Sequence, residues 1–171
     1  MIRAVALFVL STAAAGAYAD EATVSVSLAI PSRDDARRIS VGGADAHFHV
    51  LLSSQSSAPQ RIWDETFSWG YYALSFELVG EDGTVREVRK KKVGFTRNVP
   101  ASWILEPHGH FVLDVYLGDR RTWEGVPRPR RDCEIVQMRA VFEVTQDEAS
   151  RKQSAWTGRV VSSTHGVTVC E

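Results

Sequence analysis

The sequence predicts an antiparallel all-β sandwich. Three observations predict it. First, apolar and polar residues alternate at period two in run after run, the pattern of strands with one covered face. Second, polar turns rich in Gly, Pro and Asp separate the runs. Third, no long amphipathic helix interrupts them. The stretch that organises the rest is Arg61 to Val79, RIWDETFSWGYYALSFELV. In it Tyr72, Leu74, Phe76 and Leu78 share one face, and Tyr71, Ala73, Ser75 and Glu77 share the other. The first face is too apolar to stand in water, so other strands must cover it.

The first segment lies outside the expected fold. Arg3, the apolar run Ala4 to Leu10 and small residues ending Ala17-Tyr18-Ala19 form the pattern of a cleavable signal peptide over 1–19. Residues 20–171 then suit one β-sandwich domain, exported to the periplasm or the outside and soluble. No later segment approaches the roughly 20 apolar residues of a membrane helix, so no transmembrane anchor is expected. A net charge of -1 argues against a general nucleic-acid or anionic-membrane binder.

Taken in order, Ala22 to Ile30 alternates Val24, Val26, Leu28 and Ile30 with small polar residues, and Pro31 ends it. Ser32 to Asp45 reads as a loop. His47 to Ser53 is a strand with Phe48, Val50 and Leu52 on one face. Trp63 and Phe67, four apart, suit one helical turn that plugs the end of the core. After the central strand, Glu81-Asp82-Gly83 is a hairpin turn. The return, Thr84 to Val93, is Lys-rich and suits an exposed sheet edge. Ala101 to Glu106 and His110 to Leu117 form the next strand pair, around Pro107-His108-Gly109. Glu134 to Thr145 is the longest strand, with Val136, Met138, Ala140, Phe142 and Val144 inward. A helical turn capped by Thr145, with Glu148 in the capping box, is expected next. Ala155 to Ser162 and Gly166 to Cys170 close the chain. About eight strands of this spacing suit an immunoglobulin-like sandwich. Cys133 and Cys170 read as one disulfide in an exported chain, worth about 4 kcal/mol by loop closure, with two buried thiols as the alternative.

Two stretches carry a resemblance: WDETFSWGYYALSFEL with EDG and the KKK run, and WILEPHGHFVLDVYL with WEGVP. They resemble a group of small secreted immunoglobulin-like sandwich proteins of unknown activity, over roughly residues 60–160. The hairpin from Trp103 to Leu117 is also similar to the proteinase-inhibitor-type domain known from Bacillus. There the turn usually reads Leu-x-Pro-Gly-Glu; here it reads Leu105-Glu106-Pro107-His108-Gly109-His110. That motif is structural and carries no functional residue across, so inhibition by a presented loop follows by analogy alone.

Histidine supplies one candidate site. His47 with His49, and His108 with His110, form two His-x-His pairs. On a strand each pair points one way, so together they would offer four nitrogens to copper or zinc. No other cofactor is implied. The second candidate is a loop in which Trp123 stands among Arg120, Arg121, Arg128, Arg130 and Arg131. Tryptophan and arginine anchor interfaces, and guanidinium suits a protein or acidic glycan partner. The alternative is a Trp123 folded back onto the sandwich. No nucleophile elbow is present, and neither cysteine has a recognisable base beside it, so no enzyme is expected. The function expected is a non-enzymatic exported binding or structural domain. A metal-binding protein using the histidine pairs and a loop-presenting proteinase inhibitor are the alternatives.

Overall fold

Alternation becomes a strand wherever its apolar face finds cover, and most of the runs above find it. The computed structural model describes residues 23–31, 38–40, 47–127 and 134–170. The strands are β1 (Val24–Ala29), β2 (Arg38–Ser40), β3 (His47–Ser54), β4 (Gln60–Trp63), β5 (Leu74–Val79), β6 (Val85–Lys90), β7 (Ser102–Leu105), β8 (His110–Tyr116), β9 (Trp123–Glu124), β10 (Glu134–Val144), β11 (Gly158–Val161) and β12 (His165–Cys170). Two short helices, α1 (Ser68–Tyr71) and α2 (Glu148–Gln153), sit between them. A small sheet runs β1-β3-β8 and a large one β2-β12-β10-β5-β6-β9, with β11 also on β10. β4 and β7 form a separate ribbon. Among these pairings only β2 with β12 is parallel.

The two sheets share one core, so this is an all-β sandwich. Val24, Val26 and Leu28, then Phe48, Val50 and Leu52, then Leu113 and Val115 line the small sheet's inner face. Leu74, Phe76, Leu78, Val88, Val136, Met138, Ala140, Phe142 and Val167 line the large one. Phe48 and Phe76 meet edge-to-face across the layers, 5.4 Å between centroids. β11 and β12 flank β10 on one side as a single strand broken at Ser162. At the break Ser162 Oγ accepts the Ala140 N–H at 2.9 Å, and Ser162 N–H donates to the Ala140 carbonyl at 2.9 Å. A side chain thus stands in for the missing ladder acceptor.

Several expectations need correction. Tyr72 does not share the inward face of Leu74: it caps α1 and is 43% exposed, while Ala73 is buried. The period-two run therefore begins one turn later than the aromatic residues suggest. Trp63 ends β4 and packs on Trp69, whereas Phe67 is the N-cap of α1. α2 is capped by Asp147, not Thr145: its carboxylate accepts Ser150 N–H, and Ser150 Oγ answers with the Asp147 N–H. β2 occupies residues read as loop, and β4 and β9 are strands too short to show a period. The signal-peptide residues 1–19 and Cys133 lie outside the described residues, so the pairing of Cys133 with Cys170 does too.

Candidate binding groove

A groove opens where the outer face of the large sheet meets α1. It encloses about 720 Å³, within the range of small-ligand sites. Local geometry builds its aromatic wall. β4 delivers Trp63 and α1 delivers Trp69, their rings 6.0 Å apart. The two elements are so close that a Cβ on Gly70 would strike the Asp64 and Trp63 carbonyls. Tyr72 follows, its hydroxyl accepting Val93 N–H at 3.1 Å. Asn98 ties the same strap down: its Oδ1 accepts Ser68 N–H and its Nδ2 donates to Ser68 Oγ at 2.7 Å.

The floor is sheet. Ser75 of β5, Glu87 and Arg89 of β6, Glu124 of β9 and Glu143 of β10 point outward opposite the buried set. Their charges are mostly matched to one another. Arg89 Nε donates to Glu124 Oε1 at 2.8 Å and its Nη1 lies 3.7 Å from Glu87. Arg159 reaches Glu143 at 3.4 Å. Asp147, on the rim, is occupied in capping α2.

Lys90 is different. It shares the inward side of β6 with Val88, and its side chain is only 10% exposed. Its ammonium sits 4.6 Å above the Tyr71 ring and 5.9 Å from that of Trp123. Glu65 Oε2 is 3.7 Å away, too far for a good hydrogen bond. Burial pushes the Lys90 ammonium below the usual lysine range, and Glu65 opposes part of that. Lys90 lines the groove, as does exposed Lys92.

The structure does not bring the two histidine pairs together. His47 lies opposite Tyr116 and His49 opposite Asp114, but His110 lies opposite Ser53. The pairs therefore occupy opposite ends of the β3–β8 ladder, about 13 Å or more apart at ~3.4 Å per residue. His47 stacks on Tyr116, and both His47 and His49 turn Nδ1 toward Asp114, at 3.3 and 3.5 Å. His110 Nδ1 is 2.7 Å from Ser53 Oγ, while His108 takes the left-handed turn position with φ 57°. Among the described residues no group of three His, Cys, Asp or Glu is arranged to hold a metal ion.

Of the two readings of the arginine loop, the structure shows the one in which Trp123 folds back onto the sandwich. Trp123 is 5% exposed and packs on Phe76 at 5.4 Å, so it is a core residue rather than a ligand anchor. Arg120 turns back on its own loop, donating to the Val126 and Pro127 carbonyls at 3.5 and 3.4 Å. Arg121 is exposed. Arg128, Arg130 and Arg131 lie outside the described residues. No described helix is long and apolar enough to cross a membrane.

No family model and no curated protein matches the chain. The groove itself escaped sequence reasoning.

Proposed function

We propose that this protein is an exported, non-enzymatic binding domain that holds its ligand in the groove beside α1. The observation that carries the reading is the groove's make-up: an aromatic wall of Trp63, Trp69 and Tyr72 over a floor of paired charges on a sheet. Aromatic faces supply contact area at little entropic cost, and a hydrogen-bonded sheet holds its side chains in place before the ligand arrives. The floor acids are committed to Arg89, Arg159 or the α2 cap. Such groups orient a polar ligand; they are not poised as a free acid and base. The leader-like residues 1–19 support export.

Blocking the groove tests the reading. Ser75→Trp fills the floor, and Tyr72→Ala removes an exposed ring without opening the core. Each is expected to weaken ligand binding at least tenfold, with the thermal midpoint held within a few degrees. A ligand from a glycan or peptide array that binds both variants as it binds the parent would remove the groove from the reading.

A further inference from the structure

We infer that β8 is an interface between two copies of this chain, which pair their β8 strands antiparallel about a two-fold axis at Val112 and so join two small sheets into one. The inference stands apart from the groove, which lies on the large sheet.

The backbone sets the opportunity. β8 is seven residues long, and among the described residues it pairs with β3 and with no other strand. The ladder shows which of its groups are left over. Ser54 N–H donates toward β8, to the Gly109 carbonyl, while the next amide, Gln55 N–H, donates the other way, to the Thr23 carbonyl ahead of β1. Backbone groups alternate sides along a strand, so Leu52, Val50 and Phe48 also bond toward β8. Their partners there are Phe111, Leu113 and Val115. The amides and carbonyls of His110, Val112 and Asp114 therefore point away from β3, and their side chains are exposed, Val112 at 62%. Free edges are usually guarded by lysine, proline or a bulge. β8 reads His-Phe-Val-Leu-Asp-Val-Tyr, and its register with β3 runs unbroken from His110 to Tyr116, so it carries none of these guards.

The side chains choose the occupant. An axis at Val112 sets Val112 against its counterpart, Phe111 against Leu113, and His110 against Asp114 of the other copy. Each is a matched cross-strand pair, apolar on apolar and imidazole on carboxylate. An axis at Phe111 or Leu113 sets Val112 against His110 or Asp114, and an axis at Asp114 sets carboxylate on carboxylate. The strand is thus complementary to itself in one register, which an arbitrary peptide is not. Both polar partners can take part. Asp114 meets the Nδ1 atoms of His47 and His49 at 3.3 and 3.5 Å, longer than good hydrogen bonds, and a carboxylate has about four acceptor sites. His110 engages Ser53 through Nδ1, so Nε2 is the atom it offers. So short a ladder makes a small interface, and the dimer is expected to form in the micromolar range.

Sedimentation velocity of the processed full chain over a concentration series tests the pairing. The parent is expected to shift from one to two chains per particle between low and high micromolar concentration. Val112→Lys, at an exposed position that does not threaten folding, is expected to stay monomeric at tenfold higher concentration. His110→Glu is expected to weaken the dimer tenfold or more, and His110→Glu with Asp114→Lys to restore it to within about threefold. Hydrogen exchange on the parent needs no substitution: the His110, Val112 and Asp114 amides are expected to slow at high concentration, and the Leu113 amide to stay as it is. A chain that remains monomeric at hundreds of micromolar, a dimer that survives Val112→Lys, a double variant that does not recover, or outward amides that exchange alike at both concentrations overturns the inference.

Discussion

Lys90 and Trp123 show how much one residue's surroundings decide. Lys90 stands in a basic run read as an exposed edge, and Trp123 in an arginine-rich loop read either as an anchor or as a ring folded back on the sandwich; both turn inward where β6 and β9 pair. Trp123→Ala is expected to cost about 3–5 kcal/mol, because it deletes a buried ring and leaves a cavity beside Phe76. Urea unfolding of purified protein measures this; a cost under about 1 kcal/mol would return Trp123 to the surface. Lys90 gives a pH signature. Its folded pKa is lowered, first by burial. Below that folded value the protein bears the cost of a buried charge. As pH rises through it toward the unfolded 10.5, the cost is relieved and stability rises. Tyr71 runs the other way: burial raises its pKa above 10.0, so its favourable term is lost as pH climbs past 10.0. Lys90→Met is therefore expected to be neutral to stabilising near pH 7 and to flatten the rise toward pH 10. Denaturant midpoints at several pH values check it, and an unchanged slope would refute the assignment.

Elements were legible in proportion to their length. β1, β3, β8 and β10 each span six residues or more, enough for period two to declare which side is buried. β2, β4 and β9 have two to four residues, and no period exists in so short a run. Their pairing partners, such as Arg61 with Ile104, are far away in sequence. What holds β9 in place is backbone geometry at Gly125, whose φ is 80° and whose absent Cβ lets the Glu87 carbonyl approach. Gly125→Ala meets both a left-handed backbone and a clash, for about 1–3 kcal/mol. The expected result is local: β9 lifts, the Arg89–Glu124 bond at 2.8 Å is lost, and the Lys91 amide, which donates to the Thr122 carbonyl at 2.8 Å, exchanges faster with solvent. Hydrogen exchange reads that amide directly. Full protection of Lys91 in the variant would show that β9 does not depend on the glycine.

At the scale of the whole molecule the question is why two sheets of separate ladders behave as one fold. Alternation shows that each strand has an inner face but not which sheet it faces, and for the same reason the groove was hidden. Its floor comes from β5, β6, β9 and β10, brought together by the ladders of the large sheet, and its wall from β4 and α1. Among the described residues the layers meet through side chains. Phe48 from β3 and Phe76 from β5 are fully buried, and their edge-to-face contact crosses the interior. If that contact couples the sheets, the cost of trimming one ring must depend on whether the other is present. Phe48→Leu and Phe76→Leu keep an apolar side chain at each site and remove the aromatic pair. Each single variant is expected to cost about 1–3 kcal/mol. The double variant is expected to cost less than their sum by about 0.5–1.5 kcal/mol, the range measured for aromatic pairs. Both rings lie deep in one core, so unfolding in every variant should remain a single transition by tryptophan fluorescence and far-ultraviolet dichroism. Strict additivity would mean that the sheets are held by area alone, and two separated transitions would mean that they fold apart.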